Sequence, residues 1–89
     1  MYLHIGKDTV LNTEEVIGIF DLDTATISKN TRRYLADAEK NGEVINVTRD
    51  LPKSFIVCRK KGGGKVIYIS QISSTTLLKR SLYINNISY

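Results

Sequence analysis

An α+β fold is what this sequence predicts, with a small, mostly antiparallel sheet and two helices in the order βββ-α-βββ-α. Two observations lead there. Three β-type runs fall within the first twenty residues, and two β-branched runs flank a triglycine turn at 61–64. Strands spaced this closely leave no room for the long crossovers that a parallel α/β sheet requires. At 89 residues the chain is the size of one domain around one core. Its 42% hydrophobic and 25% charged residues are those of a folding chain, not a disordered one.

The elements follow in order. Tyr2 to Ile5 and Thr9 to Leu11 are short β runs separated by Gly6-Lys7-Asp8, a combination suited to a tight hairpin turn. Asn12 to Glu15 breaks the pattern. Val16-Ile17-Gly18-Ile19-Phe20 is apolar, β-branched and of strand length. Asp21 to Ser28 is a polar connection, and Ser28 or Asn30 is suited to cap the helix that follows. That helix, Thr31 to Asn41, carries Tyr34, Leu35 and Ala38 on one face, with Gly42 placed as its C-terminal glycine. Val44 to Val47 resumes β character, and the proline of Arg49-Asp50-Leu51-Pro52-Lys53 marks a loop.

Phe55 to Lys60 and Lys65 to Ile69 form the clearest hairpin, joined by Lys61-Gly62-Gly63-Gly64. Apolar runs as continuous as Phe55-Ile56-Val57-Cys58 imply burial on both faces, against a helix on one side and, in this reading, another subunit on the other. Ser73 to Thr76 opens a last helix with Leu77, Leu78 and Leu82 inward. A single domain over 1–82 and a tail over 83–89 result.

Composition narrows function. Cys58 is the only cysteine and lies in an apolar run, which excludes a disulfide-built protein. No leader-like segment or stretch of about 20 apolar residues is visible, so the expected setting is the cytoplasm, with no membrane partner. A domain this small without disulfides or metal ligands is commonly completed by self-association. Charge is divided unevenly. Residues 1–48 hold five basic groups against eight acidic ones, and residues 49–89 hold eight basic groups against Asp50 alone. Clustered Lys and Arg point to an anionic partner, because phosphates respond to a field that a mixed surface would cancel.

No motif carries catalysis. His4 is the only histidine and has neither a second His nor a second Cys with which to build a metal or acid–base site. Phe20-Asp21-Leu22-Asp23-Thr24 superficially resembles the opening motif of haloacid-dehalogenase-type phosphotransferases. That chemistry also needs a magnesium site, a distant lysine and a doubly wound sheet, and a turn leading toward a helix accounts for the residues better. Lys60-Lys61-Gly62-Gly63-Gly64-Lys65 evokes a phosphate loop, yet Val66 and a strand follow where Ser or Thr and a helix are required. What remains is a flexible cationic hairpin suited to phosphate contact, with Arg49 and Lys53 flanking the proline loop as further candidates. No enzyme, cofactor or metal is expected.

As a whole the chain resembles the bacterial extracellular-matrix regulator family of the RemA/RemB type, and the RemB branch more closely. The likeness rests on Tyr2-Leu3-His4-Ile5-Gly6, Val16-Ile17-Gly18-Ile19-Phe20-Asp21, the helix from Thr31 to Lys40, and Pro52-Lys53-Ser54-Phe55-Ile56-Val57. It implies a DNA-binding regulator of biofilm-matrix genes whose relatives assemble into rings that display arginines to DNA. Glu15 stands where the RemA type has one such arginine, and Leu51-Pro52 where it has an arginine pair. The reading that follows is a homo-oligomer binding DNA through Arg49, Lys53, Arg59, Lys60, Lys61 and Lys65, gathered on one surface. The alternative is an interaction module that has lost DNA binding and acts through a related regulator.

Overall fold

The computed structural model describes residues 1–25 and 28–87, with side chains for 1–24 and 28–81. The fold is α+β, arranged as two sheets and not one. β1 (Tyr2–Gly6) and β2 (Thr9–Asn12) form an antiparallel hairpin. Its alternation turns Leu3, Ile5 and Leu11 inward and leaves Tyr2, His4 and Val10 exposed. A short 3-10 turn, Thr13–Glu15, capped by the Asn12 side chain, leads into β3 (Val16–Asp21).

A four-stranded sheet has the order β3-β5-β6-β4, where β4 is Val44–Asn46, β5 Ser54–Arg59 and β6 Lys65–Ser70. β3 and β6 both run antiparallel to β5, and β4 runs parallel to β6. Between β3 and β4 lie two helices, α1 (Leu22–Ala25) and α2 (Lys29–Lys40). The Ser28 hydroxyl accepts from the Thr31 N–H at the start of α2, and Gly42 takes φ 71 just past its end, a left-handed conformation that favours glycine.

Each face of this sheet has its own core. On one, Ala38 and Leu35 of α2 pack on Phe55, Val57 and Ile67. On the other, Leu3, Ile5 and Leu11 of the hairpin and Leu77 of α3 (Ser74–Ile87) pack on Ile56 and Cys58. β5 is therefore covered on both sides, which explains an apolar run with no alternation. The second cover comes from the same chain and not from another subunit, which corrects the inference drawn from the run itself. Truncating Ile56 or Leu77, both 0% exposed, to alanine would cost about 2–5 kcal/mol.

Polar seams fasten the hairpin and α3 to the sheet. Ser54 Oγ donates to the Ile72 carbonyl at 2.7 Å, and the Arg80 guanidinium donates to the His4 carbonyl at 3.2 Å. The last helix departs from expectation twice. It continues to Ile87, past the boundary drawn at Leu82, and Leu78 is 47% exposed whereas Leu77 is buried in the core. The Leu82 side chain lies outside the described residues.

Candidate nucleic-acid interface

The hairpin between β5 and β6 presents the densest positive charge. Arg59 and Lys65 are register partners at its base, and Lys60 and Lys61 are exposed at its turn. The Lys60 N–H donates to the Gly64 carbonyl, and the Gly63 N–H donates back to the Lys60 carbonyl, each at 3.1 Å. Gly62, Gly63 and Gly64 take φ values of 87, 103 and 85, so the tight return uses backbone conformations that other residues adopt at a cost.

Strand alternation puts Arg59 and Lys65 on the α2 face with Phe55 and Val57. There the Lys65 ammonium sits 4.7 Å from the centre of the Tyr34 ring. This is a cation–π contact that holds one cation while Arg59, Lys60 and Lys61 stay exposed. Glu15 and Glu43 line a hollow together with Lys60, Gly63, Gly64 and Lys65, so negative charge reaches one side of the hairpin up to its turn, while Arg59 and Lys61 lie outside that hollow.

Arg49 and Lys53 are elsewhere. Lys53 immediately precedes β5, and its N–H donates to the Ser70 carbonyl at the far end of the β5–β6 ladder, about 17 Å from the turn at the ordinary rise per strand residue. Arg49 follows β4, which runs toward that same far end. The expectation that all six cations share one surface is thus not met within one copy of the chain, because the length of the antiparallel β5–β6 ladder separates the turn from the end that carries Lys53. The loop carrying Arg49 is well anchored. Thr48 Oγ1 donates to Gln71 at 2.6 Å, and the Asp50 N–H donates to that same hydroxyl at 3.0 Å. Its surroundings are mixed, for Lys7 and Asp8 share a hollow with Arg49. The Lys53 carbonyl accepts from the Leu22 N–H, between Asp21 and Asp23.

Two residues that the sequence reading passed over belong to these regions. Tyr34, assigned by periodicity to the buried helix face, is 36% exposed and is the ring beneath Lys65. Lys7, read only as a turn residue, lies beside Arg49. The remaining motifs have structural tasks. Asp21 accepts from the Asp23 N–H at 2.9 Å and from the Thr24 hydroxyl at 3.3 Å, as a cap on α1. His4 Nε2 lies 2.6 Å from the Lys7 carbonyl. Phe55, 3% exposed, stacks on Phe20 with ring centres 5.0 Å apart and is not free to stack on a base. Burial, with the nearby Glu15 charge second, pushes the Cys58 thiol up to about 11. Among the described residues no group of three or more His, Cys, Asp or Glu could hold a metal ion, and no helix is long and apolar enough to cross a membrane.

Fold and hairpin together define a small α+β module with a cationic turn projecting from its central strands. Residues 2–81 match the RemA-like family, described as extracellular matrix regulatory protein A-like. The chain is also similar to the extracellular matrix regulatory protein B of Bacillus subtilis (strain 168), with 34% identity over 83 residues, covering 93% of each chain. It belongs to the RemA-like family of extracellular matrix regulatory proteins.

Proposed function

We propose that this chain is a DNA-binding regulator of extracellular-matrix genes that works as a homo-oligomer and meets DNA through the β5–β6 hairpin. One observation carries the reading: Arg59 at the end of β5 and Lys60 and Lys61 in the turn that follows are all exposed. Phosphate contacts by Lys and Arg are individually weak and sequence-independent, and they gain strength when a symmetric assembly repeats them. Arg49 and Lys53 are secondary candidates, since Asp8, Asp50, Asp21 and Asp23 weaken the field at their end of the ladder. The family and the name of the Bacillus subtilis relative support a regulatory role.

A mobility-shift titration on duplex DNA tests this with the double variant Lys60→Glu/Lys61→Glu. The wild-type chain is expected to bind at low salt and the variant to lose at least tenfold in affinity. No binding by the wild type at low salt would end the reading.

A second reading has its own support. Glu15 reaches the hollow beside Lys60 and Lys65 and offsets part of the hairpin charge. A module that pairs with a related regulator would tolerate this better than a DNA surface would. Under that reading the same variant loses co-purification with its partner while DNA retention does not change.

A further inference from the structure

We infer that the hollow beside the β5–β6 turn is a binding site for a guanine mononucleotide. The inference stands apart from the DNA reading, since Arg59 and Lys61 lie outside this hollow. Its volume is about 410 Å³, within the range of roughly 300–1,000 Å³ typical of small-molecule sites. Val66 and Tyr68, two residues apart on β6 and therefore on one face, form its floor and are only half-buried. Ile45 extends that floor, for it is the register partner of Tyr68 on β4. An apolar surface with an aromatic ring suits the flat face of a base.

The rim carries both signs of charge. Glu15 precedes β3 and Glu43 precedes β4, so these half-buried residues stand on opposite flanks of the β5–β6 pair. Three strand spacings put their backbones about 14 Å apart. Lys60, Gly63 and Gly64 close a third side, at the turn. Among the described residues neither carboxylate is paired with Lys60. Carboxylates so separated do not share one cation. Opposite charges set around one apolar floor complement a ligand that is anionic at one end and rich in N–H and O–H donors elsewhere.

A guanine mononucleotide has those parts. Asn41 and Glu43 flank Gly42 just past α2, setting an amide donor near a carboxylate acceptor. This matches the guanine edge, where O6 accepts while N1–H and the N2 amino group donate. Adenine reverses the pattern, and its N1 lone pair would face the carboxylate. At the turn no atom lies within 4 Å of where a Cβ on Gly63 or Gly64 would stand, so phosphate oxygens can approach the backbone. The Lys65 ammonium is engaged by the Tyr34 ring, which leaves Lys60 to meet the phosphate. Glu15, whose charge is felt at Tyr68, is the acceptor left for the ribose hydroxyls.

The test is isothermal titration calorimetry of the full chain with GMP, AMP and guanosine. GMP is expected to bind, with AMP and guanosine each weaker by at least about tenfold, because a site built for hydrogen-bonding groups rejects analogues that lack them. Lys60→Ala should reduce GMP to the affinity of guanosine. Glu43→Gln should reverse the preference in favour of AMP, since the glutamine amide offers one acceptor and one donor to the adenine edge. Loss of packing alone would not reverse it. Circular dichroism verifies folding, and Asn41→Ala, which removes the donor to O6 and should weaken GMP while sparing AMP, replaces Glu43→Gln if that variant fails to fold. No binding of GMP, equal affinity for GMP and AMP, or a preference for GMP that survives Glu43→Gln overturns the site. Each of these results leaves DNA contact by Arg59 and Lys61 standing.

Discussion

The hydroxyl of Ser70 donates to the carbonyl of Ile5 at 2.5 Å, joining positions 65 apart in the chain. Ser70 is 0% exposed, and its oxygen also accepts from the Ile72 N–H at 3.0 Å. One side chain thus ties the β1–β2 hairpin to the end of β6 and shapes the turn that leads to α3. Replacing it by alanine strands a buried carbonyl and an N–H, and losing such partners costs about 1–3 kcal/mol. Ser70→Ala is expected to lower the free energy of unfolding by that amount, read as a lower urea midpoint at an unchanged slope, and a midpoint equal to wild type would show the seam to be dispensable.

Lys65 and Tyr34 give a second expectation. A cation–π contact at a partly exposed site contributes about 0.5–1 kcal/mol. Tyr34→Leu is expected to remove that much stability, read by thermal unfolding, while leaving DNA affinity within about threefold, because Lys65 is the cation already engaged within the protein. Lys61→Ala should do the reverse. Equal effects of the two changes on DNA affinity would contradict this division between a structural lysine and exposed ones.

Cys58 links burial to pH. Its thiol is raised from 9.0 to about 11, first by desolvation and then by Glu15, and Tyr68 is raised in the same direction, again mainly by desolvation. Both groups are neutral when protonated, so the folded state holds these protons more tightly than the unfolded one. The stability Cys58 contributes is complete below about pH 9 and is lost as pH rises toward 11, and Tyr68 adds a further loss that begins above its ordinary value of 10.0. Denaturation followed between pH 8 and 11 should show this decline, and Cys58→Ala should flatten part of it. At pH 8 the native thiol should react with a disulfide reagent far more slowly than the unfolded one.

Much of the fold was legible because local chemistry and tertiary structure agree. A capping residue before α2, the glycine after it, the triglycine turn and the apolar run Phe55 to Cys58 within β5 each have a local cause that survives in the folded chain. The exceptions arise where partners are distant in sequence. Continuous hydrophobicity in β5 signalled two covers, but nothing in it said that β1, β2 and α3 would supply the second. Leu77 and Leu78 are neighbours of equal apolarity, and only the position of α3 over the hairpin decides which is buried. The same limit applies to the cations. Arg59, Lys60, Lys61 and Lys65 could be grouped from their spacing, whereas assigning Arg49 and Lys53 to the opposite end requires the antiparallel register.

Gly18 illustrates a constraint that strand propensity cannot reveal. A Cβ there would come within 2.7 Å of the Phe20 ring, which stacks on Phe55. Gly18→Ala must push that ring aside, at a cost of about 1–3 kcal/mol typical of overpacking. Differential scanning calorimetry should show the loss. A Gly18→Ala, Phe20→Ala double variant should be less destabilised than the sum of the two single changes.

Salt dependence of DNA binding is the most direct measurement of whether the hairpin cations meet phosphates. Fluorescence anisotropy of labelled duplex DNA, titrated from 50 to 200 mM salt, is expected to show affinity falling steeply and linearly on logarithmic axes, as roughly one counterion is released per phosphate neutralised. Lys60→Ala/Lys61→Ala should weaken binding and make the slope shallower by about two for each copy engaged. Affinity indifferent to salt, or a double variant with the slope and affinity of the wild type, would contradict DNA recognition through this hairpin.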